Sequence, residues 1–373
     1  MSDSRRRYYA VKNKLRQLLP ELWDECESRM INLSLMVSAI PKAKELTQSA
    51  IAAEMPLAAQ DTSLVQRQRR WSNNDQVEER AYYQPIIQPF LHALSRVTIP
   101  IILDTSEMGL NCHLLMVAVG YQRRALPVVW QADQGSRGHT DGDLQVGLLT
   151  YTAQLLPDQA DVIILGDGEF GHVQLLDWLE SVQPQWSYGL RVASDTYVLF
   201  EGQWRRLDSF ELGPGETIWL EQVSLTRQAA FGPVNVWLTW DPKHERLVPI
   251  VTNLPLAEEL HHWYQKRPWI EPLFGDMKGH GFDLQTCRLR HPERIDRLML
   301  AVSLAYLWMC FLGSVAILTG QAKRVDRSDR RDRSIFTIGR LWLNRLLKLD
   351  LPFLVGFCPY PFLNLSAPPR ASC

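Results

Sequence analysis

The sequence predicts an α/β protein with a helical N-terminal unit and a β-rich insertion near its middle. Three observations lead there. Apolar residues recur at helical spacing up to about residue 95. Short strand-like runs alternate with helical ones from about 97 to 194. Tryptophan-rich β-like runs then occupy 195–255, before the helical pattern resumes at Leu256. Periods near 3.6 and 2 residues are the primary signals for helix and strand.

In the N-terminal unit, Leu15, Leu18, Leu19 and Leu22 share a helical face, and a second periodic run starts at Asn32. Val97–Leu103 reads as a short apolar strand ending in Asp104. Cys112–Tyr121 and Ala125–Gln131 read as two more strands, bounded by turn or charged residues. Thr140–Leu156 reads as a helix, Asp161–Leu165 as a buried strand, His172–Ser181 as a helix and Trp186–Val192 as a strand. Strands and helices in this alternation suit a sheet with helices on its faces. In the insertion, Thr217–Val223, Val234–Trp240 and Leu247–Asn253 are strand-like, and Gly213-Pro214-Gly215 and Asp241-Pro242 mark turns. A charged stretch at 323–333 reads as an exposed loop. A helix near 335–349 and a Pro-rich tail follow. There are no internal repeats.

The chain has 373 residues, 46% hydrophobic and 22% charged, which excludes disordered, collagenous and disulfide-stapled classes. At roughly 150 residues per domain there is room for about two domains and an insertion. Its 40 basic and 41 acidic residues leave a net charge of −1, so any nucleic-acid function rests on local patches. Residues 1–98 carry 14 basic and 11 acidic side chains, a net of +3, with clusters at Arg5–Arg7 and at Arg67, Arg69 and Arg70. A solvated face is the ordinary reading of such clusters, and a DNA-contacting domain the functional one. Cysteines at 26, 112, 287, 310, 358 and 373 form no C-x-x-C pair and no zinc-finger spacing, which suits free thiols in a reducing cytosol. The basic N-terminus has no apolar segment of the secretory kind. Leu298–Leu318 is 21 residues without a charge, long enough to span a bilayer. A helix buried on all sides in a large core reads the same way.

Two acids stand at strand ends, Asp104 after Ile101-Ile102-Leu103 and Asp167 after the run ending at Gly166. Neighbouring strands bring such carboxylates together, where they repel unless a cation compensates. Their oxygen ligands suit Mg²⁺ or Mn²⁺. Taken singly, each aspartate also suits a turn or cap. The segment Gly166–Gly171 matches G-x-G-x-x-G, yet it lies in mid-chain and places a carboxylate where a pyrophosphate would sit. Tyr264, Arg267, Glu271 and Lys278 fall within about a 60° arc of one helical face. Such a face suits a metal and a phosphate together, or a salt-bridged surface. Pro268 and Pro272 predict a kink or restart within it.

These last four residues spell Y-(2)-R-(3)-E-(6)-K, and the segment resembles the bacterial insertion-sequence DDE transposases of family four. The segments around Asp104 and Asp167 resemble the same family in the same order, so the resemblance covers about 97–312. It implies a ribonuclease-H-like core interrupted by the β-rich insertion. The implied division is a helical DNA-binding domain at 1–95, core at 96–194, insertion at 195–255, core with the Glu-bearing helix at 256–320, and a C-terminal loop, helix and tail at 321–373. It further implies that Asp104, Asp167 and Glu271 form a catalytic triad binding two Mg²⁺ (or Mn²⁺) ions. Tyr264, Arg267 and Lys278 become contacts to transposon-end phosphates, and Arg67, Arg69 and Arg70 phosphate contacts of the N-terminal domain. The implied partners are double-stranded DNA, as transposon ends and target, and a second copy in a synaptic dimer. The implied setting is the cytoplasm at the nucleoid, with 298–318 a core helix and no membrane. Many relatives carry Arg directly after the second Asp, where this chain has Gly168. Some use a Trp on the last insertion strand to stack on a flipped base; Val248 or its neighbour takes that place here, with Trp237 and Trp240 on the preceding strand. A catalytically decayed DNA-binding protein or repressor, and a nuclease that cuts without joining, are the competing readings.

Overall fold

The computed structural model describes residues 1–135, 140–279 and 281–360. Cys373 and the tail from residue 361 lie outside the described residues. Five helices come first: α1 (Asp3–Leu18), α2 (Pro20–Ala39), α3 (Gln48–Ala53), α4 (Asp61–Ser72) and α5 (Glu79–Ala93). Three strands follow, β1 (Ile99–Met108), β2 (Cys112–Tyr121) and β3 (Arg124–Gln134), then α6 (Gly142–Leu155), β4 (Val162–Gly166), α7 (Val173–Val182) and β5 (Ser187–Arg191). The insertion supplies β6 (Tyr197–Phe200), β7 (Gln203–Arg206), β8 (Thr217–Leu225), β9 (Phe231–Asp241) and β10 (Arg246–Thr252). The chain closes with α8 (Ala257–Tyr264), α9 (Ile270–Met277), α10 (Pro292–Leu318) and α11 (Ile335–Lys348).

All ten strands belong to one sheet, in the order β3-β2-β1-β4-β5-β10-β9-β8-β6-β7. The β1–β4 and β4–β5 pairs are parallel, which their helical crossovers permit. The other pairs are antiparallel. The first five strands, with helices on the faces, fit a ribonuclease-H-like core. Insertion strands extend that sheet directly, because β10 pairs with β5 from Ile250↔Arg191 to Thr252↔Gly189.

One strand end departs from the sequence expectation. β1 does not stop at Asp104 but runs on to Met108, because its antiparallel partner β2 continues the ladder from Asp104↔Met116 to Met108↔Cys112. The parallel partner β4 ends sooner, its last pair being Ile102↔Leu165. Two residues further along both strands stand Asp104 and Asp167. The register therefore sets the two carboxylates side by side where β4 runs out.

The charge-free run lies in α10, and 83% of its most apolar window is buried within the fold. Gly313 on α10 and Gly339 on α11 let these helices cross closely, since a Cβ on Gly339 would stand 1.8 Å from the Met309 carbonyl oxygen. The N-terminal helices share one continuous hydrophobic core with the sheet and α10. Part of their positive charge is spent internally. Arg7 is buried, donating from Nε to the Ser38 carbonyl at 2.9 Å and pairing with Glu54 at 2.7 Å. Arg6 pairs with Asp350 at 2.8 Å. The Arg5–Arg7 cluster is therefore not one solvated face.

The start of α10 fastens these parts together. Arg297 donates to the Ser72 carbonyl at 2.9 Å and pairs with Asp75 at 3.2 Å and Glu79 at 3.6 Å. The Asp296 carboxylate accepts from the Ala132 N–H at 2.7 Å. Burial pushes its carboxyl from 3.8 up to about 8, outweighing that hydrogen bond, which lowers it. A carboxyl whose folded pKa is raised favours the fold while protonated, and that contribution fades as pH rises from the unfolded value through about 8. Asp296→Asn keeps an acceptor and removes the titration. Urea unfolding of the variant is expected to lose the part of the stability decline that wild type shows between pH 5 and about 8. Parallel wild-type and variant profiles would contradict this.

Candidate active site

Asp104, Asp167 and Glu271 arrive from three different elements. Asp104 lies within β1, and its carboxylate accepts from the Thr105 N–H at 2.9 Å. Asp167 follows β4 directly and accepts from the Glu169 N–H at 3.1 Å, an Asx-type turn that lets the chain leave the sheet. Glu271 is in the first turn of α9, where Pro272 costs little because first-turn N–H groups have no helical partner. Arg124 at the start of β3 anchors that helix, donating to the Pro272 carbonyl at 3.1 Å and pairing with buried Asp276.

The three carboxylates meet at one guanidinium. Arg267 Nη2 is 3.3 Å from Asp104 Oδ1 and 3.0 Å from Asp167 Oδ2, and its Nη1 donates to Glu271 Oε1 at 3.0 Å. Side-chain exposure rises from 5% at Asp104 through 26% at Asp167 to 61% at Glu271, so the cluster opens outward at the glutamate. Burial pulls the Arg267 pKa down, and Asp104 and Asp167 more than offset this, with smaller help from Tyr264 and Glu271, so the guanidinium ends above its ordinary value.

The helix expected to carry Tyr264, Arg267, Glu271 and Lys278 is broken, as Pro268 predicts. Tyr264 ends α8, Arg267 opens a 3-10 turn, Glu271 starts a new helix, and Lys278 lies just past its end. The break turns Arg267 toward both aspartates. The Tyr264 hydroxyl approaches the Gly166 carbonyl at 3.4 Å, and burial pushes its pKa up to about 12, so it stays a protonated donor. Lys278 donates to Ser106 Oγ at 2.6 Å, two residues along β1 from Asp104.

Arg191 was not legible as a site residue. It ends β5, and its Nε would lie 4.0 Å from a Cβ placed on Gly168. It is also close enough to Tyr264 to pull that hydroxyl's pKa down. A cation from a neighbouring strand thus stands beside the position after the second aspartate. The other glycines of the Gly166–Gly171 loop have packing reasons. A Cβ on Gly166 would stand 2.9 Å from Leu190 and Phe170, and one on Gly171 2.0 Å from the Arg191 carbonyl.

The N-terminal arginines of α4 are engaged to different degrees. Arg67 turns to the Asn32 side chain, Arg69 Nε donates to Gln48 Oε1 at 2.9 Å, and Arg70 is exposed. Val248 and Trp237 are each 8% exposed, and the Trp237 ring packs edge-on against His261 at 5.4 Å. Trp240 is half-buried.

The donors are all oxygens, a set that suits a hard divalent cation. Among the described residues no three acids stand close enough to form a ready-made metal cluster, because the carboxylates are spread around Arg267. Arg267 Nε and Nη2 are buried without a well-aligned hydrogen bond. Toward the two aspartates the positive charge is thus held by proximity rather than by directed bonds, an arrangement in which a metal ion fits as a further counter-charge. Arg267→Gln removes the sole side-chain cation that bridges all three acids among the described residues. Breaking a buried ion pair from one side costs about 3–5 kcal/mol. In metal-free buffer at pH 7, urea unfolding is expected to show a loss toward the low end of that range. An unchanged midpoint would mean the acids are compensated without Arg267.

Residues 125–308 match the family described as Transposase DDE domain. No curated protein matches the sequence. Among solved structures, the chain is similar to the cryo-EM structure of a piggyBac transposase synaptic complex with hairpin DNA. That likeness has a TM-score of 0.49 and 11% identity, covering 88% of this chain and 77% of that one. The family match takes in Asp167 and Glu271, and Asp104 lies on β1, ahead of the matched residues.

Proposed function

We propose that this chain is a DNA transposase that binds the terminal inverted repeats of its insertion sequence and catalyses metal-dependent strand cleavage and strand transfer. The observation that carries this reading is the meeting of Asp104, Asp167 and Glu271 at Arg267. Bound at these carboxylates, Mg²⁺ or Mn²⁺, two ions per site in this reading, would supply Lewis-acid charge and an acidified water for phosphodiester chemistry. Asp104 and Asp167 would be the fixed ligands, held by the sheet register. Glu271, the most exposed of the three, would complete the set from the rim. When a DNA phosphate enters, Arg267 exchanges a carboxylate contact for a phosphate one, which its planar fork suits. Lys278 and Arg191 add positive charge on either side, and Tyr264 donates a hydrogen bond. Together they hold the scissile bond in line. Arg67, Arg69 and Arg70 contribute phosphate contacts from the helical region. The partners are double-stranded DNA ends and target, with a homodimer in the synaptic complex.

Purified protein with Mg²⁺ or Mn²⁺ is expected to cut a duplex at the end of its element. Asp104→Ala, Asp167→Ala and Glu271→Ala should each abolish cutting and retain end binding. Normal cutting by any of them would sink the triad assignment. End binding without cutting by wild type would favour the repressor reading, and cutting without joining the nuclease one.

Arg191 generates a second prediction. Arg191→Ala should reduce cleavage at least tenfold, the scale of one lost charge-assisted contact of about 1.5–3 kcal/mol. Gly168→Arg in that background should recover part of the loss, since position 168 has open space beside Arg191. Full activity in Arg191→Ala would remove Arg191 from the site.

A further inference from the structure

A second concentration of positive charge lies at the seam between the N-terminal helices and the core. An open cleft of about 530 Å³ is lined by Arg69 of α4, by Thr47 and Ser49 around the start of α3, and by Thr286, Arg288 and Arg294 before and within the start of α10. Among the described residues no carboxylate lines it. Some arginines elsewhere on the surface are neutralised by nearby acids: Arg206 by Asp208 at 2.6 Å, Arg327 by Asp329 at 2.9 Å and Arg330 by Asp332 at 2.8 Å. Among the described residues Arg69, Arg288 and Arg294 have no ion pair, so the cleft keeps its positive field in a chain whose overall charge is near zero.

The wall carrying Arg288 is built rather than loose. Leu46 N–H donates to Thr286 Oγ1 at 3.1 Å, and Leu110 N–H donates to the Leu289 carbonyl at 2.7 Å. Arg288 is fixed between these two ties in the left-handed region, at φ 51 and ψ 23.

The cleft has a defined place relative to the carboxylates. Gly109 and Leu110, against Leu289, follow Asp104 on the same chain segment, and five residues of strand span about 17 Å. Duplex DNA rises 3.4 Å per step, so about five base pairs cover that distance.

We propose that this cleft binds backbone phosphates of duplex DNA on one side of the cleavage position, with Arg69, Arg288 and Arg294 as the contacts. The proposal rests on the transposase reading for the position of the cut, but the contact itself is tested separately. Its contacts carry no base information, so they position the duplex and do not select its sequence.

The test uses the full chain and fluorescein-labelled duplexes, one carrying the element end and one scrambled, with anisotropy read over a range of NaCl. Each phosphate contact contributes about 0.9 to the slope of log K against log salt. Arg288→Gln with Arg294→Gln should reduce that slope by about 1.8 on both duplexes, and adding Arg69→Gln should reduce it further. The matching Arg→Lys variants should keep most of the slope, which separates lost charge from lost folding. An unchanged slope in the Gln variants would overturn the proposal while leaving metal-dependent cutting, and so the transposase reading, intact. A reduced slope in a protein whose wild type never cuts would overturn the transposase reading and keep the cleft. Failure of wild type to bind either duplex would overturn both.

Discussion

The arrangement at the site depends on one electrostatic constraint: three carboxylates face a single guanidinium. At 3.0–3.3 Å from Arg267, Asp104 and Asp167 gain strong attraction, yet three negative charges against one positive leave a surplus. Two unit charges about 4 Å apart interact by about 4 kcal/mol at an effective dielectric of 20. Without Arg267 the acids would face one another with no compensating charge. The surplus makes the site receptive to further positive charge, and Arg191 and Lys278 stand on its flanks. This is the electrostatic character that divalent-cation chemistry on a phosphate requires.

The fold pays attention to this constraint at several removes from the acids. The β1–β4 register fixes the distance between the two aspartates, and the early end of β4 frees Asp167 to turn toward the site. The interrupted helix after β10 places Arg267 inward and Glu271 at the rim. Arg124 then ties α9 to β3 through Asp276 and the Pro272 carbonyl. The insertion joins through β5–β10 pairing, which fixes β5 and with it Arg191. A disturbance of the insertion would thus reach the site through Arg191 rather than through the acids. Beneath the sheet, α10 binds the N-terminal helices to the core through Arg297, so the seam that carries the cationic cleft is held in a constant relation to the carboxylates.

Much of this was legible in the sequence because burial writes itself as hydrophobic pattern. The strand before Asp167 reads clearly since a parallel strand covered on both faces is an unbroken apolar run. The break near Pro268 was legible because proline restricts the residue before it. The end of β1 was not, because it is set by how far β2 extends, and that is a property of the partner strand. The union of the insertion with the core sheet rests on β5–β10 pairing between strands some 60 residues apart, which leaves no local trace. Arg191 was hidden for the same reason: its relation to Gly168 exists only across strands. Arg7 reads as part of a basic cluster, and only packing reveals it as a buried partner of Glu54.

In the proposed site, Asp104 and Asp167 supply the oxygen ligands, and Arg267 and a divalent cation share the role of counter-charge. Anomalous diffraction from crystals grown with Mn²⁺ and an end-bearing duplex tests it most directly. The expected result is an anomalous peak within about 2.0–2.6 Å of carboxylate oxygens of both aspartates, with Arg267 moved off them toward a DNA phosphate. Mn²⁺ bound elsewhere, with Arg267 still bridging Asp104 and Asp167 beside the DNA, would contradict it.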